Sequence, residues 1–189
     1  MLFKSSFTKK TRWTYSTLWK ITLQNQLVSL TLRVNENKKE SNARNAIVQS
    51  ILATGLSASI IEQAFEGKYS RELMNKYTQS FQQYLPNGNI NDFFIVDGRY
   101  VKVNNQLKNI EFRIHNLLQD SMYRKFNIIF YRNVMIYFDD TLKMTVLRLF
   151  HDSLEKDGYL IIGYYDMLPP ESKEMFAVVD SRTKIYRKL

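Results

Sequence analysis

The stretch FNIIFYRNVMIYFDD, residues 126–140, sets a guanidinium and a carboxamide, Arg132-Asn133, between two apolar runs, Phe126–Tyr131 and Val134–Phe138. Runs of this kind are drawn into a core, so a polar pair between them needs a reason. A buried strand ending at Tyr131 supplies one. In open α/β sheets, ligands bind at the carboxyl ends of strands. Arg132 would offer donors there, and Asn133 both donors and an acceptor. A surface arginine followed by an asparagine turn fits the pattern equally well. The adjacent carboxylates Asp139-Asp140 have no clustered oxygen ligands around them and read as a helix N-cap rather than a Mg²⁺ site. Of the two histidines, His115 is expected to be a partly exposed strand-end residue, and His151 to sit near a helix end, where it favours the dipole. The chain has no cysteine, which excludes disulfides, thiolate metal sites and cysteine nucleophiles.

These side chains need elements to position them. Leu27–Val34 alternates and permits a strand, and the polar 35–45 reads as a loop. Ile47–Thr54 is a candidate buried strand. Ser57 and Gly67 bracket a helix with Ile60, Ile61, Ala64 and Phe65 on one face. Ser70 with Glu72 starts a second, through about Tyr77. FFIVDGRYVKV, 93–103, carries Asp-Gly between β-rich halves, a hairpin signal. Ile110–Ile114 and Asn127–Tyr131 read as strands. A helix is expected over about 141–156, stopped by Asp157-Gly158, with a strand at Tyr159–Tyr164 and a closing antiparallel pair at Phe176–Val179 and Lys184–Arg187. Strands alternating with helices predict an α/β fold with a mostly parallel sheet.

The net charge of +9 is concentrated at one end: residues 1–40 carry eight Lys/Arg against two Asp/Glu. This divides the chain into a basic, atypical arm over 1–46 and a domain over 47–189. The arm is expected to be a solvated segment, with contact to an acidic surface or nucleic acid as the alternative. Nucleic acid is not the expected partner, because no reading motif accompanies the charge. No apolar run reaches the roughly 18–20 residues of a membrane span, and the N-terminus has no signal-type apolar core. A cytoplasmic location is the expectation.

FNIIFYRNVMIYFDD resembles the segment FDxIxCRNVxIYFD of CheR-type chemotaxis receptor methyltransferases, which use S-adenosylmethionine. ILATGLSASIIEQAFEGKYS, 51–70, FRIHNLL, 112–118, DGYLIIGYYDMLP, 157–169, and KIYRK, 184–188, are similar to further blocks of that family in the same order. The resemblance spans about 47–188 and implies a Rossmann-like methyltransferase sheet, seven-stranded when complete. It also implies methyl transfer from S-adenosylmethionine to glutamate side chains of receptor-like proteins. Asn116 and Leu117 would lie beside the adenosine, Arg132 and Asn133 would contact the cofactor at the strand end, and Tyr137 would stand near the transferred methyl group. Such a transfer requires chiefly alignment of carboxylate, methyl carbon and sulfonium.

The chain departs from the family pattern in places that bear on the cofactor. The Gly-rich loop after the first strand is missing, and no glycine precedes Gly55. Gly55 stands where the family has its ribose-binding Asp. Two such losses would weaken binding by about two to four orders of magnitude. The sheet is therefore expected to be truncated or degenerate at its first strand. The alternative function is a catalytically weak or inactive relative acting as a protein-binding module. Gly163-Tyr164-Tyr165-Asp166 replaces the family's GHSE, and the two tyrosines are expected to pack in the core, with filling of space that a ligand or partner normally occupies as the alternative. The hairpin insertion at about 93–103 is expected to pack or form an edge rather than hold a receptor tail.

Overall fold

The computed structural model describes residues 29–35, 47–84, 89, 91, 94–103, 110–120 and 124–189. Most of the basic arm and of the polar 35–45 stretch lies outside these residues. The main sheet has seven strands in the order β6-β2-β1-β7-β8-β10-β9. They are β1 (Ser29–Asn35), β2 (Ile47–Gly55), β6 (Ile110–Ile114), β7 (Phe126–Tyr131), β8 (Leu154–Ile162), β9 (Phe176–Asp180) and β10 (Ile185–Lys188). A second, three-stranded sheet joins β3 (Lys68–Ser70), β5 (Tyr100–Val103) and β4 (Phe94–Asp97).

β2 pairs with β6, and β7 with β8, in parallel. Parallel neighbours need long crossovers, usually helical. The first crossover contains α1 (Ala58–Glu66), α2 (Arg71–Tyr84) and the small sheet; the second is α3 (Asp140–Ser153). β9 and β10 close the edge as the expected antiparallel pair. β1 is the departure from a parallel sheet. It fills the centre, paired antiparallel to β2 on one side and to β7 on the other. Only the eleven residues 36–46 join it to β2. A crossover needs about a dozen or more, so this length suits an antiparallel connection. The degeneracy at the first strand thus takes the form of a reversed strand, drawn from within the segment expected to be an arm.

Local chemistry explains most boundaries. Gly67 ends α1 with φ 62°, its N–H donating to the Gln63 carbonyl. Ser57 precedes α1 as expected, but its hydroxyl meets that of Ser59 at 2.9 Å instead of capping the helix. Ile61 and Ala64 are buried, whereas Phe65 is exposed, its ring edge-on to Phe112 at 5.9 Å. α2 begins after Ser70, whose hydroxyl accepts from the Leu73 N–H, and runs on to Tyr84 rather than stopping near Tyr77. In the hairpin, Asp97 pairs with Tyr100 across Gly98-Arg99; Gly98 has φ 58° and Arg99 does not share the positive φ, the pattern of a type II′ turn.

α3 is capped as expected by Asp139, whose carboxylate accepts from the Leu142 N–H at 2.8 Å, while Asp140 pairs with Lys143. Its end differs from expectation. The helix stops at Ser153, and Asp157-Gly158 lies inside β8. Asp157 has φ 60°, and the β7–β8 register shifts between Phe126 and Ile128. The dipeptide therefore marks an irregularity of the strand, not the helix stop.

The core lies between α3 and the β7–β8–β10 half of the sheet: Phe126, Ile129, Val146, Leu147, Phe150, Leu154, Leu160 and Ile162 are buried together. Phe150 is fully buried, 4.8 Å from the Tyr131 ring and edge-on to it. Phe150→Ala should lower stability by about 3–5 kcal/mol in urea unfolding. Burial raises the Tyr69 phenol above its ordinary 10.0; burial first, and then the Asp166 carboxylate, does the same for Tyr131. Below pH 10.0 these phenols are neutral in both states, and their stabilising term is intact. Above it the unfolded chain ionises before the folded one. The urea midpoint should therefore fall as pH rises past 10.0, and Tyr131→Phe should flatten the decline.

Candidate functional site

The pairing registers define one edge of the sheet. Gly55 lies level with Ile114, Tyr131 with Ile162, and Ser29 with Thr54. The carboxyl ends of β2, β6, β7 and β8 therefore share one rim. Strand order changes direction beside β1, which is where an open α/β sheet takes its ligand.

The Arg132-Asn133 pair stands on this rim immediately after β7, and both residues are exposed. Its setting answers the question posed by its sequence. Tyr131 on one side and Val134 and Met135 on the other are buried in the core, leaving only the polar pair outside. Asn133 is left-handed, with φ 59°, a conformation asparagine tolerates better than most residues. Asp166 holds the corner. One carboxylate oxygen accepts from the Asn133 N–H and from the Gly163 N–H, both at 2.7 Å. The parallel strands β7 and β8 share no turn, and this carboxylate ties together the residues just beyond their paired ends. Gly163 is required for the approach: a Cβ there would lie 2.1 Å from the Asn133 side-chain oxygen and 2.5 Å from its nitrogen. Asp166 is fully buried, and its second oxygen has no partner among the described residues.

Beyond the corner, Met135–Tyr137 forms a 3₁₀ turn, with the Tyr137 N–H donating to the Val134 carbonyl. The turn buries Met135 and leaves Tyr137 77 % exposed. At the end of β6, the His115 N–H donates to the Gly55 carbonyl, stitching that strand to β2. Asn116 nucleates the following turn. Its side-chain oxygen accepts from the Leu118 N–H, and its own N–H donates to Asp120. One of its two side-chain functions is therefore already engaged, and the amide NH₂ is what it has to offer a ligand. Leu117 packs half-buried against the core.

The rim thus carries Asn116 and Leu117 at β6 and Arg132, Asn133 and Tyr137 at β7. Three strand spacings, roughly 14 Å, separate the two groups. Between them lie β2 and the amino end of β1. Gly55 adds no acceptor on that side. Because β1 runs backwards, it brings its amino end, and not its carboxyl end, to the centre of the crevice. His115 is a correction: it is buried, and neither ring nitrogen has a partner among the described residues. Tyr164 and Tyr165 are another. Expected in the core, they stand exposed on the rim, their rings edge-on at 5.2 Å. His151 lies in the last turn of α3 as expected. The described residues contain no cluster of metal-ligating side chains.

The CheR methyltransferase SAM-binding domain matches residues 28–185, beginning upstream of residue 47 and taking in β1. The chain belongs to this family. A chemotaxis protein methyltransferase of Borreliella burgdorferi is 30 % identical over 62 % of this chain and 40 % of its own length. For chemotaxis protein methyltransferase 1 of Vibrio cholerae the figures are 34 %, 63 % and 42 %, and for that of Pseudomonas aeruginosa 29 %, 74 % and 50 %. The chain therefore spans half or less of the length of these relatives. S-adenosylmethionine is the cofactor this family implies. The residues at β6 and β7 fit it, with a carboxamide donor, a guanidinium and a rigid corner. On the β2 side, Gly55 brings no carboxylate. No described helix is long and apolar enough to cross a membrane.

Among the residues that matter here, Asp166 carried no role in the sequence reading. Its signal was the spacing from Gly163, in a block where the family has a carboxylate too. Asp166→Ala leaves two buried N–H groups without an acceptor. It should cost about 2–4 kcal/mol in urea unfolding, and Asp166→Asn, which keeps one acceptor oxygen, clearly less.

Proposed function

We propose that this chain is a CheR-type domain that transfers the methyl group of S-adenosylmethionine to glutamate carboxylates of a receptor-like protein. Asn116 and Leu117 hold the nucleoside side. Arg132 and Asn133 hold the cofactor at the β7 end, and Tyr137 orients the acceptor. The cofactor supplies an activated methyl group, and the acceptor arrives as a nucleophile already ionised at neutral pH. What the chain must contribute is alignment. The observation that carries this reading is the Asp166-locked corner at Asn133, which fixes the backbone where the family contacts its cofactor. A rigid, pre-set donor array binds without first losing conformational freedom. An exposed tyrosine on a short turn beside it can reach a bound acceptor. A cytoplasmic location, where such an acceptor tail and the cofactor meet, belongs to the same reading.

The reversed β1 favours a second reading: a weak or inactive relative whose rim binds protein instead. Calorimetric titration with S-adenosylhomocysteine separates the two. Under the first, binding is measurable and falls about tenfold or more in Asn133→Ala, and Gly55→Asp tightens it about tenfold by restoring a ribose acceptor. A folded chain that gives no heat at millimolar ligand, with or without Gly55→Asp, removes the methyltransferase reading.

A further inference from the structure

The main sheet has two outer strands, β6 and β9, and they are finished differently. An outer strand presents a row of backbone donors and acceptors to which another strand can add, and charged side chains within it discourage this. β6, IEFRI, carries Glu111 and Arg113 in its interior. β9, FAVVD, carries no charge over its first four residues and no proline or glycine. Its last residue, Asp180, is turned back on its own chain, where its carboxylate accepts from the Arg182 and Thr183 N–H groups at 2.9 and 3.2 Å. Val178 and Val179 are 62 % and 48 % exposed, so both faces of the strand are apolar and open at its middle.

β9 is also complementary to itself. A five-residue strand overlaps fully with an antiparallel copy in one register only, which sets Val178 opposite Val178 and Ala177 opposite Val179. No like charges meet within that register. Two residues beyond either end of the strand, the same register brings Glu174 level with Arg182 of the second copy, twice by symmetry. Both side chains belong to exposed residues, and neither is in an ion pair among the described residues. A two-fold joint of this kind uses the same patch on both copies and closes on itself. It also leaves the ligand edge alone. β8 and β9 each run antiparallel to β10 and so run the same way. An antiparallel second copy therefore carries its own rim at the opposite edge of the shared sheet.

We propose that two copies of this chain pair through β9, antiparallel about Val178, into one sheet continuous across the dimer, with Glu174 of each copy facing Arg182 of the other. The joint uses a different edge of the sheet from the cofactor rim and stands independently of the methyltransferase reading. It is short, below about 1,200 Å², which places it among weak, reversible contacts with a dissociation constant on the order of tens of micromolar.

Sedimentation velocity of the full chain at low salt, from about 2 to 500 μM, reads this directly. The mean mass should rise with concentration and level off at twice that of the chain. Val178→Lys sets two ammonium groups opposite each other at the two-fold centre and should leave monomer throughout. Val178 is exposed, so the variant keeps its core, and an unchanged urea midpoint at low concentration checks that it does. Glu174→Arg or Arg182→Glu alone should raise the dissociation constant about tenfold, and the two together should return it to within about threefold of the original. Ile95→Lys, on the exposed β4 of the small sheet, should change nothing. A chain that stays monomeric at about 500 μM would overturn the proposal. So would a dimer that survives Val178→Lys, one that Ile95→Lys dissociates, or one that the double charge reversal does not restore.

Discussion

The direction of the central strand governs both what this sheet can hold together and what it can present. A strand between β2 and β7 must satisfy two rows of backbone donors and acceptors, and β1 does so with antiparallel pairing on both sides. The sheet is therefore continuous from β6 to β9. Hydrogen-bond accounting is blind to strand direction in a way that chemistry is not. A parallel first strand would deliver its carboxyl end, and the turn after it, to the ligand edge. The reversed strand delivers its amino end and whatever precedes it.

The two halves of the rim follow from this. On one side β7 and β8 run parallel, and the corner at Asn133 is built to close tolerance. Its left-handed φ, the bare Cα of Gly163 and the two 2.7 Å bonds to Asp166 depend on one another. Removing any one leaves a clash or an unsatisfied donor, so the corner is rigid because its parts are mutually required. On the β1–β2 side there is no comparable construction. Gly55 ends β2 without a side chain, and its carbonyl is used by the His115 N–H.

The sequence carried the β7–α3–β8 half clearly. Runs such as Phe126–Tyr131 and Tyr159–Ile162 have strand periodicity, Asp139 is a strong capping residue, and both signals act locally. The helix stop was misplaced because Asp157-Gly158 satisfies the rules for a helix end and for a strand irregularity alike; only the pairing of β8 with β7 distinguishes them. The alternation in Leu27–Val34 announced a strand but not its direction. Periodicity of two is the same read either way, and direction is fixed by what the neighbours offer. Asp166 was silent for a similar reason. A carboxylate that accepts from backbone N–H groups thirty-three and three residues away leaves no pattern in the chain. His115 and Tyr164-Tyr165 were exchanged between inside and outside, because residues just past strand ends no longer follow the alternation that sorts the strand.

Fold and chemistry separate here along a definable line. Family membership rests on a match over residues 28–185, which includes β1. β1 thus lies within the matched span, and in this chain it runs antiparallel to both of its neighbours. The core under α3 contains Phe126, Phe150, Leu154 and Leu160. The ligand rim depends on that direction, since it is assembled from strand ends that point the same way. The direction of one strand therefore alters the ligand edge at its centre while the order of the strands stays as it is.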